Sequence, residues 1–409
     1  MKVLYLNSLF PPDIGGGAEI TLESIVRGMK RLGNEVAVVA TSDKPGTHLT
    51  IQDGLSVYRI GVQNIYWPHK AQATPAYKRA LWHLADIYNP LMKKHLAAVV
   101  EEFKPDVVSI HNLPGFSISA YSVFTERHIP LVQVLHDYYL LCPKVNLFAN
   151  NEICEQRCLS CQAYRLPHNK ISSQASAVVG VSHAVLEQHL NHGAFKETRI
   201  KAVINNARAL KPPTKQRTRG VEDALRFGFI GTLSEVKGVE PMIDAFLKVQ
   251  SLSTQKIELL IGGTGKEEYV AFLKGKYQSN AIQFLGRVVP DEFFMSIDVS
   301  IVPSVWLDPF PGVVFESLGY GVPVIGAQRG GIPEMVIHEK NGLLYDPAVS
   351  GSLSGAITTF MSDQQLLVNC QREAPESVAR LLNVDRMLQE HQQLMSKVIE
   401  QSKTKTNHA

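Results

Sequence analysis

A chain of 409 residues is long enough for about two or three domains, each able to bury a core of its own. Lys and Arg number 41 against 38 Asp and Glu, and a net charge of +3 is too small a basic excess for a nucleic-acid surface. Hydrophobic residues at 45% and charged ones at 19% describe a soluble globular protein. The opening run from Met1 to Asn7, soon followed by Pro11-Pro12, is too short for a signal peptide or a membrane span, so the expected location is the cytoplasm.

Short apolar runs alternate with longer amphipathic ones, the pattern of parallel sheets with crossover helices. Strands are expected at Lys2 to Leu6, Glu35 to Ala40, Val107 to Ile110, Leu131 to Leu135, Ala177 to Val181 and Ala202 to Ile204. Leu210 to Gly220 is polar and carries Pro212-Pro213, as an interdomain linker would. A second series follows at Arg226 to Ile230, Ile257 to Ile261, Ile282 to Leu285, Val299 to Val302 and Val322 to Ile325. From about Ser377 to Ile399 the period is helical, and the polar tail Gln401 to Ala409 is expected to be disordered. The expected division is therefore a first doubly wound domain over 1–206, a linker over 207–222, a second doubly wound domain over 223–385, and a C-terminal helix with its tail over 386–409.

In open α/β sheets ligands bind beyond the carboxyl ends of the strands, and the unusual residues of this chain fall there repeatedly. Gly15-Gly16-Gly17 follows the first strand and His136-Asp137 ends another. Gly231 to Gly238 follows the first strand of the second series, Gly262-Gly263-Thr264-Gly265 the next, and Asp308 lies past a third. A ligand held between two facing domains is expected. After Val299 to Val302, Pro309, Pro311 and Gly312 break the chain and open a helix, with Asp308 in the turn and Glu316, eight residues on, inside the helix. Free N–H groups and the positive dipole end there favour a phosphate, and carboxylates beside it suit sugar hydroxyls. Taken singly, each of the two acids reads more readily as a solvated side chain.

The Phe10 to Glu19 loop lets backbone N–H groups of Gly16 and Gly17 approach a ligand, although it is not a G-x-G-x-x-G fingerprint; a flexible loop is the plainer alternative. His136 closes an apolar strand, where it either faces a ligand or bonds a nearby carbonyl; His111 ends the neighbouring strand. Cys142, Cys154, Cys158 and Cys161 are spaced C-x11-C-x3-C-x2-C, which fits a structural zinc site as well as four reduced thiols in a loop. Trp67, Tyr77, Trp82 and Tyr88 mingle with Lys70, Lys78, Arg79, Lys93, Lys94 and His95, either an interfacial segment resting on a membrane or a helix with one core face.

Val305 to Glu316, continued by Leu318 to Gly326 and by Gly330-Gly331-Ile332-Pro333-Glu334, resembles the acidic-x7-Glu signature of the retaining glycosyltransferases of family four. Phe229 to Gly238 resembles the segment of that family in which a lysine before glycine binds the donor diphosphate, and Phe10 to Glu19 resembles its glycine loop. The chain departs from the pattern at Asp308, where the family usually has glutamate, and at Thr232, where many members have arginine; Arg329 and Arg287 are the candidates for the missing cation.

The resemblance implies the GT-B fold, two Rossmann-like domains facing across a cleft, and a retaining glycosyltransferase, a hexosyltransferase of glycan or polysaccharide biosynthesis. The donor would be a UDP- or GDP-sugar and the acceptor a hydroxyl of a glycan or lipid-linked glycan, with no cofactor for catalysis and with the inner membrane face as a place of work. Lys237 would bind the diphosphate, Glu316 the ribose, and Asp308 with His136 the donor sugar. Thr232, Phe310, Pro311, Gly312 and the Gly16-Gly17 loop would complete the donor site. A nucleotide-sugar epimerase of the same architecture and a noncatalytic sugar-nucleotide binding module are the rival readings.

Overall fold

The computed structural model describes residues 1–69, 74–211, 220 and 223–406. The segment expected as a linker lies largely outside the described residues, at 212–219 and 221–222, as do Lys70 and positions 407–409 of the tail. The chain divides into two compact units, Met1–Leu147 with Cys154–Asn206 and Asp385–Ala409, and Phe148–Ile153 with Ala207–Val384.

In chain order the strands of the first half are β1 (Lys2–Leu6), β2 (Glu35–Ser42), β3 (Thr47–Gln52), β4 (Leu55–Gly61), β5 (Val107–Ile110), β6 (Leu131–Leu135), the short β7 (Phe148–Ala149) and β8 (Glu152–Ile153), β9 (Ala177–Gly180) and β10 (Ile200–Val203). Apart from the β7–β8 hairpin they form one sheet in the order β10-β9-β6-β5-β1-β2-β4-β3. Val3 to Leu6 are fully buried, because a central parallel strand is covered on both faces and so reads as an unbroken apolar run. All pairs are parallel except β3 with β4.

The sequence reading missed β3 and β4. They are joined by Asp53-Gly54, both at positive φ (50° and 70°), the two-residue hairpin turn whose twist matches its strands. Five of the six β3 residues are exposed, so this edge strand lacks the apolar run that betrays the others.

The second unit carries β11 (Leu225–Ile230), β12 (Ile257–Gly262), β13 (Ile282–Gly286), β14 (Val299–Val302), β15 (Val324–Ala327) and β16 (Gly342–Tyr345), ordered β13-β12-β11-β14-β15-β16 and parallel throughout. In both sheets the chain winds outward in one direction and then restarts beside the first strand to wind in the other. The order therefore reverses between β1 and β5 in one sheet and between β11 and β14 in the other, and these switch points are where such sheets leave a crevice.

The tail differs from expectation: Gln401 to Thr406 continue the Val384–Thr406 helix instead of fraying. Met387, Leu388, His391, Met395 and Val398 form its buried stripe, and that stripe anchors the polar turns that follow. Gly28 makes room for it. A Cβ there would lie 2.3 Å from Leu388 Cδ1, so the Gly17–Arg31 helix admits Leu388 only because it carries glycine at that point.

Candidate active site

The loops after β11 and β14 are brought together by the pairing of those strands and by the Val305 N–H, which donates to Val236 O at 3.0 Å. Gly238, at φ 69°, permits the contact: a Cβ there would stand 2.0 Å from Pro303 O. Two expected site residues meet as a result. Lys237 Nζ lies 2.5 Å from Asp308 Oδ2, which also accepts the Ser304 hydroxyl at 3.1 Å, and the ammonium sits 5.5 Å from the Trp306 ring centre. Asp308 is buried while Lys237 keeps 28% of its side chain exposed, so the pair opens to solvent through the cation. From the other side, Gly331 N–H donates to Asp308 O at 2.8 Å and fixes the turn.

Pro311 caps the Gly312–Gly319 helix, whose first N–H groups have no acceptor within the helix. Glu316, four residues in, returns its buried carboxylate to that end: a Cβ on Gly312 would lie 3.0 Å from Glu316 Oε1 and 3.7 Å from Arg208 Nη1. Arg208 Nη1 donates to Glu316 Oε1. Burial raises the Glu316 carboxyl above its ordinary range and Arg208 pulls it back. Phe310 and Pro311 are buried beside it, and Thr232 is exposed in the loop that carries Lys237. Lys237, Asp308, Phe310 to Gly312 and Glu316 thus share the β11/β14 switch point.

Gly16, Gly17 and His136 belong to the first unit. Gly16 N–H, expected to be open to a ligand, donates to Glu19 Oε2 at 2.9 Å, and this buried carboxylate occupies the start of the Gly17–Arg31 helix. Past β5 and β6, His111 Nδ1 and His136 Nε2 are 2.8 Å apart. Burial is the first cause holding both imidazoles far below their usual range, His136 at about 3, with His391 adding to it.

Two family models match the chain, one described as a glycosyl transferase 4-like domain over residues 16–206 and one as glycosyl transferases group 1 over residues 211–377. This chain belongs to the GT-B glycosyltransferases. The glycosyltransferase is 27% identical over 335 residues to an uncharacterized 42.6 kDa protein in the cps region of Klebsiella pneumoniae, covering 82% of this chain and 87% of that one. It is 26% identical to an uncharacterized glycosyltransferase of Methanocaldococcus jannaschii, over 89% and 90% of the two chains. Among solved structures it shares the fold of Anabaena HepE, crystallised with UDP and glucose, at a TM-score of 0.71 and 20% identity, covering 97% of this chain and all of that one.

Of the cations named for the missing arginine, Arg329 lies 3.4 Å from Asp346 Oδ1 and Arg287 is exposed. The guanidinium that does face the glycosyltransferase's Gly312–Glu316 turn is Arg208, which sequence reasoning missed. No local pattern could have found it, since it lies 108 residues from Glu316. Among the cysteines, Cys142 and Cys161 are buried with free thiols and Cys158 Sγ lies 3.2 Å from Ser160 Oγ. Among the described residues no three His, Cys, Asp or Glu side chains are grouped to hold a metal ion. Trp67 and Trp82 are core residues, with the Trp67 indole N–H donating to Thr41 Oγ1 at 2.9 Å.

Proposed function

We propose that this enzyme is a retaining hexosyltransferase that takes a UDP- or GDP-sugar and transfers its hexose to a hydroxyl of a glycan or lipid-linked glycan. What carries this is the Lys237–Asp308 pair at the β11/β14 switch point, beside the Gly312–Gly319 helix start. An arriving diphosphate takes the Lys237 ammonium from Asp308. The fixed cation then offsets charge growing on the departing nucleoside diphosphate, and the freed carboxylate accepts hydrogen bonds from sugar hydroxyls. Glu316 accepts the ribose hydroxyls, and Thr232, Phe310 and Gly312 line the donor. The bond from the sugar C1 to phosphate breaks, the acceptor oxygen bonds C1 on the same face, and its proton passes to the phosphate oxygen. The UDP and glucose bound by HepE support a nucleotide-sugar donor. Thermal shift against UDP, GDP, ADP and their sugars, followed by NMR of the product anomer, tests this: no stabilising nucleotide, or an inverted anomer, would overturn it.

Work at the inner face of a membrane is the second part of the proposal. Tyr77, Leu81 and Leu84, spaced i, i+4, i+7 on the Ala76–Ala85 helix, are 63%, 49% and 52% exposed, and Lys78 and Arg79 are exposed beside them. A polar-rimmed apolar stripe of this kind suits an anionic lipid surface. Among the described residues no helix is long and apolar enough to cross a membrane. Sedimentation with anionic vesicles that is lost in the Leu81→Asp/Leu84→Asp variant is expected; equal recovery of both proteins in the supernatant would sink it.

A further inference from the structure

Ser109 on β5, His111 just past it and His136 just past β6 form one hydrogen-bonded row. Ser109 Oγ lies 3.1 Å from His111 Nε2, and His111 Nδ1 lies 2.8 Å from His136 Nε2. Ser109 is fully buried, His111 is 3% exposed, and the two rings stack with centres 5.0 Å apart. His136 is half-buried, and its Nδ1 edge makes no hydrogen bond among the described residues.

The protons of this row can be placed by hydrogen-bond bookkeeping. Among the described residues the Ser109 hydroxyl has no partner other than His111, so its proton is satisfied only by pointing at Nε2. That nitrogen is then an acceptor, and a neutral imidazole with an acceptor at Nε2 carries its proton on Nδ1. His111 therefore donates to His136 Nε2, and the His136 proton is left on Nδ1. Reversing the row would strand the serine proton in the core. Charging either ring would also break it, because an imidazolium has no acceptor nitrogen.

We propose that Ser109 and His111 are positioning residues that lock His136 in its Nδ1–H tautomer, so that it offers a neutral N–H donor, not a base, to an oxygen of the donor sugar. This rests on His136 being the sugar-side residue of the proposed transferase. It adds which atom makes the contact and in which direction the hydrogen bond runs.

Long-range 15N–1H spectra of the full chain with ring-labelled histidine, assigned with His111→Asn and His136→Asn, read the tautomers without any substrate. Both rings are expected to show a protonated Nδ1 and a bare Nε2, the minority form of imidazole in water. In Ser109→Ala the constraint is gone: His136 should shift toward Nε2–H and the donor KM should rise about tenfold with kcat nearly unchanged. His136 found as Nε2–H or as imidazolium in the unaltered chain overturns the proposal, as does a Ser109→Ala protein with unchanged tautomers. If Ser109→Ala does not fold, the unaltered spectrum decides alone. Failure to turn over any nucleotide sugar would count against the transferase and leave the tautomer result standing.

Discussion

Lys237 and Asp308 neutralise each other at the β11/β14 switch point, the carboxylate buried and the ammonium partly exposed, and in the proposed mechanism an arriving diphosphate exchanges with Asp308 for that ammonium. Lys237→Ala is expected to lower kcat about 100-fold or more, roughly 3 kcal/mol of barrier, and to lower the melting temperature as well, because it leaves the buried Asp308 carboxylate unpaired. Steady-state kinetics beside a melting curve checks it; unchanged turnover would remove the lysine from the mechanism. At Glu316 the expected signature is a pH profile. Burial lifts its carboxyl and Arg208 opposes the lift, so Arg208→Gln raises it further. In the proposed donor site the Glu316 carboxylate accepts the ribose hydroxyls, so the donor KM should begin to rise on acidification at a higher pH in Arg208→Gln than in the unaltered enzyme. Coincident KM profiles would disconnect Arg208 from the donor. Lys237 and Glu316 were legible because their neighbours form local words. Arg208 was not, because its meaning lies in a carboxylate far along the chain.

At the scale of elements, two loops can touch only where side chains are missing. Gly238 combines φ 69° with a 2.0 Å approach to Pro303 O, so Gly238→Ala is strained in backbone and clashes as well. A loss exceeding about 1 kcal/mol in denaturant unfolding is expected, together with weaker nucleotide binding, because the same loop carries Lys237. The Val384–Thr406 helix offers a second check on packing: Leu388, 1% exposed against Gly28, should cost about 2–5 kcal/mol when cut to alanine. A smaller loss would mean the helix is not part of the first unit's core. A central strand such as β1 could be read directly, since burial on both faces writes an unbroken apolar run from Val3 to Leu6. The edge strand β3 was missed even though Asp53-Gly54 marked its turn, because exposed residues carry no such run.

For the whole molecule the dominant pH effect comes from neutral histidines in the first unit. His83, His189 and His391 are held at about 4 and His136 and His168 at about 3, chiefly by burial. With folded values depressed below the ordinary 6.5, the unfolded chain binds more protons below that pH, so stability is lost as pH falls. From about pH 7.5 to about pH 5 each of the well-buried histidines removes up to about 2 kcal/mol, and the partly exposed His83 less because solvent screens it. Asp86, raised to about 7, and Asp137, raised to about 6, both chiefly by burial, act oppositely because the folded state there holds the extra proton. Five histidines outweigh two carboxyls, so the melting temperature should fall between pH 7.5 and about pH 5; a flat or rising profile by calorimetry would contradict these assignments.

The amino-acid sequence by itself determined the parallel α/β class, most central strands, and the stretches around Lys237 and from Asp308 to Glu316, because buried strands and turns broken by glycine and proline leave their marks within a few consecutive residues. Only the tertiary structure decided which of those stretches meet at the β11/β14 switch point, that Arg208 faces Glu316, that Glu19 takes the Gly16 N–H, and that Ser109, His111 and His136 share one row of protons. Each of these depends on strand order and side-chain direction, and both are set by packing between residues remote in the chain.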